Sequence, residues 1–263
     1  MQKLKMFQVD AFSSEVFRGN PAAVVPLTQW LEESQMQSIA AENNLSETAF
    51  LIPQGDDYRL RWFTPTDEVP LCGHATLASA FVILTILEPD RRLVKFDTLS
   101  GMLMVEQDGD LFIMDFPKRP PAVCEAPTLL FAGLKTKPRE VLATKKDTNY
   151  YVIYDSEDEI RAIQPNLQLL EQLHPYGVVA TAPSREVDFV SRYFAPSYGI
   201  PEDPVTGSIH CALVPYWASR LRKSKLHAQQ LSKRGGELFC EMRQNSVMIS
   251  GYAAKYLEGN IYL

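Results

Sequence analysis

The sequence predicts an α+β protein of two similar halves, each a curled sheet wrapped around one central buried helix. Three observations carry this. A five-residue segment recurs half a chain length away, an apolar run of helical length follows each copy, and short strands alternating with turn residues fill the rest.

The recurrence is Arg61-Trp62-Phe63-Thr64-Pro65 and Arg192-Tyr193-Phe194-Ala195-Pro196, 131 residues apart in a chain of 263. After each copy come a polar loop containing Glu and Pro, then Gly73-His74 in the first half and Gly207-Ser208 in the second, then the apolar run. Each copy reads as an aromatic strand, a loop and a glycine-marked helix start. The run from about His74 to Leu87 is apolar nearly all round (Leu77, Ala78, Phe81, Val82, Leu84, Ile86), so it must be enclosed, and a curling sheet would enclose it. Its counterpart from Ser208 to Leu221 carries Pro215 inside, which should kink it.

Strands are expected over Lys5 to Ala11, Ala22 to Val25, Thr48 to Ile52, Arg59 to Thr64, Leu93 to Phe96, Met102 to Glu106 and Leu111 to Phe116. The second half offers Tyr150 to Tyr154, Gly177 to Ala182, Asp188 to Phe194, Gly236 to Glu241, Ser246 to Ile249 and Asn260 to Leu263. Surface helices are expected over Leu31 to Asn43 and Asn166 to Leu173. Pro117-Lys118-Arg119-Pro120-Pro121 reads as the linker, extended and semi-rigid without ladder hydrogen bonds. The halves are therefore residues 1–117 and 118–263, with the last strand free to return to the first half.

Composition narrows the function. Lys plus Arg total 26 against 32 for Asp plus Glu, a net charge of −6, so there is no field to attract a nucleic acid. The short basic clusters, Lys145-Lys146 and the scatter from Arg220 to Lys225, read as solvated faces. The start Met-Gln-Lys-Leu-Lys-Met-Phe-Gln-Val-Asp10 lacks the pattern of a signal peptide, and the most apolar stretch, Ala75 to Leu87, is too short to span a bilayer. A cytoplasmic protein with no membrane partner is expected. Cys72, Cys124, Cys211 and Cys240 form no Cys-x-x-Cys pair, and His74, His174, His210 and His227 show no metal-ligand spacing; reduced thiols and no metal are expected.

Some residues invite chemistry. If two such halves pack about a pseudo-twofold, the helix starts at Gly73-His74 and Thr206-Gly207-Ser208 would present free N–H groups and dipole ends to an anion such as a substrate carboxylate. Two ordinary glycine-started helices fit the same residues. Glu47 precedes an alternation that puts it on the face of Ala49 and Leu51, where burial would raise a carboxyl pKa toward the range useful for taking and giving a proton. A capped or solvated residue at the strand mouth is the bland alternative. The dipole end at His74 would tend to keep its imidazole neutral, and packing explains that residue as well. Asp203, in Glu202-Asp203-Pro204, fits a helix cap or turn as well as catalysis.

Taken together, Phe7-Gln8-Val9-Asp10-Ala11-Phe12, Gly19-Asn20-Pro21-Ala22-Ala23-Val24, Ser46-Glu47-Thr48-Ala49-Phe50, Cys72-Gly73-His74-Ala75-Thr76 and Glu202-Asp203-Pro204-Val205-Thr206-Gly207-Ser208 resemble the PhzF (phenazine biosynthesis-like) family, over essentially the whole chain. The resemblance implies the diaminopimelate-epimerase-like fold, with two pseudo-symmetric domains of mostly antiparallel sheet around a central helix, and a homodimer. It further implies a cofactor-independent isomerase acting on a small carboxylate. In the phenazine enzyme the glutamate matching Glu47 moves a proton between carbons of a dihydro-hydroxyanthranilate, and residues matching His74, Asp203 and Ser208 assist or hold the substrate. Asn20, Gly73, Thr206, Gly207 and Ser208 are accordingly expected to bind substrate. Two alternatives stay open. One is an amino-acid racemase or epimerase using Cys72, although the paired second thiol position holds Thr206, too weak an acid for the task. The other is a ligand-binding or regulatory protein that keeps the site without turnover.

Overall fold

A computed structural model describes residues 2–144 and 148–263; the Lys145-Lys146 pair lies outside the described residues. The chain divides into two compact units, one of Met1–Asp115 with Ser250–Leu263 and one of Phe116–Ile249.

In the first unit, strands neighbour one another in the order Ala253–Tyr262, Lys3–Ala11, Asn20–Pro26, Glu47–Gln54, Asp57–Phe63, Leu93–Thr98 and Gly101–Asp108. Two neighbouring pairs are parallel, Asn20–Pro26 with Glu47–Gln54 and Asp57–Phe63 with Leu93–Thr98, and the others are antiparallel. A parallel pair needs a crossover. Helix Glu33–Asn43 lies in the first crossover and helix Gly73–Val82 in the second. The latter touches strands at both ends of this order, Ala253–Tyr262 and Gly101–Asp108, as well as the three between Lys3 and Gln54, so the sheet curls around it. Helix Glu33–Asn43 covers the outside, where Met36, Ile39 and Ala40 pack with Leu4, Val25, Phe50 and Phe63.

The central helix is shorter than expected. It ends at Val82 and continues as one π turn, Ile83–Leu87. The Thr85 hydroxyl donates to the Phe81 carbonyl at 2.6 Å, and the Glu88 N–H reaches five residues back to the Ile83 carbonyl at 2.7 Å, which closes the wider turn.

The second unit repeats the plan. Its strands run Glu140–Thr144, Asn149–Ile153, Gly177–Pro183, Phe189–Ala195, Lys225–Gln230 and Gly236–Met242, with the same succession of antiparallel, parallel, antiparallel, parallel and antiparallel neighbours as Lys3–Ala11 through Gly101–Asp108. Central helix Gly207–Leu221 occupies the second crossover. Its Trp217 stacks on Phe189 (centroids 5.8 Å apart) and donates from Nε1 to Thr181 Oγ1 at 3.0 Å. Beyond the anticipated elements the unit adds strands Glu140–Thr144, Ile200–Asp203 and Lys225–Gln230 and helices Thr128–Leu134 and Glu157–Ala162.

The proline inside the second central helix and the proline-rich segment after Phe116 are joined by a hydrogen bond. Helix Gly207–Leu221 runs on through Pro215. Proline lacks the N–H that would bond the carbonyl four residues back, and that carbonyl, of Cys211, accepts the Arg119 N–H at 2.8 Å instead. The Pro117–Pro121 segment is hydrogen-bonded to its own unit a second time through Lys118 N–H to Asn245 O at 3.4 Å.

The sequence repeat has a matching physical core. Arg61 grips Glu68 through Nε (2.7 Å) and Nη2 (2.6 Å), while its guanidinium lies 5.1 Å from the Phe63 ring. Arg192 grips Glu202 in the same bidentate way (2.7 and 3.0 Å) and lies 4.8 Å from Phe194. In each unit this fork ties the aromatic strand to the short strand that leads into the central helix. Of the scattered basic residues, Arg220 pairs with Glu140 and Lys223 with Asp188. Among the described residues no helix is long and apolar enough to cross a membrane.

Candidate active site

Glu47 opens strand Glu47–Gln54, whose first five residues are all buried, so both faces of that strand end are covered. The carboxylate is only 9% exposed, which rules out the solvated strand mouth. His74, the second residue of the central helix, is 6% exposed and sets Nε2 3.0 Å from Glu47 Oε2. The ring N–H is not aligned on that oxygen, and both atoms are buried without a hydrogen-bond partner. Each is thus available to a third atom.

The other face of the imidazole is occupied. Nδ1 lies 3.2 Å from Asn20 Nδ2 and 3.5 Å from Cys72 Sγ, and Ser46 Oγ donates to Asn20 Oδ1 at 3.3 Å. Asn20 is fully buried and acts here on His74. It follows Gly19, whose φ of +66° is natural for glycine and where an added Cβ would run into the Ala11 carbonyl oxygen. Gly19→Ala should cost about 2 kcal/mol of unfolding free energy; a thermal or urea melt unchanged from wild type would show that this turn does not set Asn20.

Charge follows from these contacts. Burial pushes the Cys72 thiol up and the Glu47 charge adds to it, so the thiol is held in its neutral form. Burial alone would push His74 down, but Cys72 and Glu47 outweigh it and hold the imidazole well above its ordinary value. With the thiol neutral, the carboxylate is the charge responsible. The expectation that a dipole end keeps His74 neutral is thereby corrected: a full charge at 3.0 Å outweighs the partial charge of a helix end.

Glu47, Cys72 and His74 are also, among the described residues, the one group of three donors close enough together to hold a metal ion. An ion needs its ligands aimed at one point. Here Nδ1 faces Cys72 and Nε2 faces Glu47, so the ring sits between the other two side chains instead of converging with them.

In the second unit Asp203 ends strand Ile200–Asp203, is buried, and accepts a hydrogen bond from Thr206 Oγ1 through Oδ2. Gly207 begins the central helix and is buried, with Ser208 exposed beside it. Sequence reasoning missed Gln230. This fully buried side chain donates to the Asp203 carbonyl (2.9 Å) and Thr206 Oγ1 (3.1 Å) and accepts the Thr206 N–H (2.9 Å), so it fixes the loop that presents Asp203. Its only sequence signal is a glutamine in the inward phase of Lys225–Gln230, after Leu226 and Ala228.

The two units diverge at the positions that bear chemistry. Thr48 pairs with Phe63 and Val178 with Phe194, which makes Gly177 the counterpart of Glu47. A Cβ at Gly177 would lie 2.6 Å from both Asn149 Oδ1 and Tyr193 Oη, so no acid fits there. Likewise Trp62 pairs with Val69 where Tyr193 pairs with Asp203. Each chemical group is present once.

Two units of one topology, each with a sheet curled about a helix, define the diaminopimelate-epimerase-like fold. A predicted epimerase of Pseudomonas aeruginosa shares it, with a TM-score of 0.76 at 21% identity and 99% of both chains covered. The family model described as phenazine biosynthesis-like protein matches residues 9–259, and the chain belongs to this PhzC-PhzF family. It is 49% identical to an uncharacterized isomerase of Pseudomonas aeruginosa, over 99% of this chain and all of that one. It is 43% identical to the crystal structure of a PhzF-family phenazine biosynthesis protein of Enterococcus faecalis, with a TM-score of 0.96 and both chains fully covered.

Proposed function

We propose that this protein is an isomerase that moves a proton within a small carboxylate-bearing molecule, with Glu47 as the acid and base and no cofactor. The observation that carries the reading is the buried Glu47 carboxylate, whose Oε2 lies 3.0 Å from His74 Nε2 without an aligned hydrogen bond, at a position whose counterpart is glycine. A single group that both removes and returns the proton suits transfer within one molecule. Glu47 takes the proton from an acidified C–H, the neighbouring imidazolium steadies the carboxylate before and after, and the protonated acid gives it back at another carbon. The name of the Pseudomonas aeruginosa relative, an isomerase, agrees with this. On the family resemblance Asp203 is assigned to assisting catalysis, and Asn20, Gly73, Thr206, Gly207 and Ser208 to holding the substrate. A homodimer in the cytoplasm is part of the same proposal.

Racemisation through Cys72 is disfavoured by the raised thiol pKa, which leaves little thiolate to act as base. The discriminating test is a panel of small cyclic and amino-acid carboxylates incubated with enzyme in heavy water and followed by NMR. A product of changed connectivity, with solvent deuterium at the new C–H unless the proton is shielded in transit, is expected without any added cofactor. Inversion at one carbon with unchanged connectivity, abolished by thiol alkylation, would overturn the proposal.

A further inference from the structure

Each link of the chain Ser46–Asn20–His74 has a direction. Ser46 Oγ donates to Asn20 Oδ1, so the amide NH2 is the end turned toward His74 Nδ1. An NH2 group only donates. Nδ1 must therefore carry the lone pair, and the proton of the neutral ring sits on Nε2, toward Glu47. The imidazolium is different, because both its nitrogens donate and an Nδ1–H would meet the amide NH2 donor to donor. Turning the amide over removes the conflict: Oδ1 then accepts from Nδ1–H, and the NH2 donates to Ser46 Oγ. A hydroxyl supports both arrangements because it can donate or accept.

We propose that Ser46 and Asn20 are a positioning pair whose hydrogen-bond polarity reverses whenever His74 gains or loses a proton, so that Nδ1 of a buried imidazole keeps a complementary partner in both charge states. The inference rests on reading His74 as the group whose charge steadies the Glu47 carboxylate and deepens it by naming the residues that act through the ring. Burial gives the device its value, since Asn20 is 0% and His74 6% exposed and a buried donor facing a donor is costly. Two titratable side chains of this unit contact the ring, Glu47 at Nε2 and the neutral Cys72 thiol at Nδ1. Asp10, the buried carboxylate on the strand paired with Asn20–Pro26, accepts the Phe17 N–H at 2.7 Å. The pair also sits where the acid is placed: Ser46 immediately precedes Glu47, and Asn20 opens the strand parallel to it.

The test is an NMR titration of the whole protein labelled at histidine and asparagine, without substrate. At high pH the His74 proton should be on Nε2, with an Overhauser contact from the Asn20 amide protons to His74 Hε1. As pH falls and His74 is protonated, that contact should be lost and replaced by one to the Ser46 β protons. Ser46→Ala should turn the neutral ring into a mixture of tautomers. Asn20→Asp, an acceptor only, should move the neutral proton to Nδ1 and raise the titration midpoint by about one unit. A neutral wild-type ring protonated on Nδ1 overturns the proposal, as does an Asn20 amide that keeps one set of contacts across the whole pH range, with Nδ1–H donating to Cys72 Sγ. Wild type and Ser46→Ala decide the matter if Asn20→Asp does not fold. A carboxylate panel without turnover would count against the isomerase and leave the titration untouched.

Discussion

Glu47→Gln is expected to lower turnover by roughly 10³-fold on whichever carboxylate the panel identifies, because the amide keeps the shape of the side chain and loses the ability to take a proton at all. The variant should still fold, since the fully covered strand around the site, Thr48 to Leu51, is untouched, but it should lose the stability that the charged His74 draws from the carboxylate. The His74 titration should respond as well. Its raised value depends on the neighbouring carboxylate, so in Glu47→Gln it should drop. The sign of the linked stability follows: a histidine with a raised folded value stabilises fully below its unfolded value, near 6.5, and that contribution disappears as pH rises through the folded value. Wild type should show this loss on the alkaline side and Glu47→Gln should not. Full turnover by Glu47→Gln would remove the carboxylate from the mechanism.

The repeat was legible because Arg61 and Arg192 each make the same fork to a glutamate and the same approach to a phenylalanine, and such contacts keep residue identity as well as pattern. The central helices were legible for a different reason: an element enclosed by its own sheet must be apolar on every side. Strand Lys225–Gln230 escaped because its inward positions are Leu226, Ala228 and Gln230, a weak alternation ending in a polar residue that is buried to bond a loop. Strand Ile200–Asp203 is four residues with a proline, below the length at which alternation is visible. Spacing along the chain did not point to Glu47, Cys72 and His74 as one cluster, since a strand start and a helix start meet only after the crossover folds. The loss of the acid in the second unit was equally hidden. It depends on Tyr193 and Asn149 filling the space over Gly177, a fact of register rather than of motif.

The two buried histidines of the central helices should have opposite effects on stability, and the second offers a large effect that needs no substrate. His210 is fully buried, rests 5.8 Å from the Phe189 ring, and lies 2.8 Å from the Thr206 carbonyl through Nδ1. The carbonyl can only accept, so Nδ1 bears the proton and Nε2 is a lone pair without a partner. Protonation would create a donor there with nothing to receive it, and burial pushes the pKa from 6.5 down to about 4, only partly offset by the bond to Thr206. The unfolded chain therefore binds a proton that the folded chain refuses as pH falls from 6.5 toward 4. Over that window the folded state should lose about 3 kcal/mol through this residue alone, and nothing further below it. His74 cannot compensate, since a raised value gives its full contribution already below 6.5. His210→Gln keeps a donor for the Thr206 carbonyl and removes the titration. Urea unfolding at pH near 7 and near 4 should show the gap between wild type and variant shifting by about 3 kcal/mol in favour of the variant on the acid side. Parallel pH dependence in the two proteins would mean that the imidazole is protonated in place, and the packing of Phe189 and Trp217 around it would then have to admit a charge.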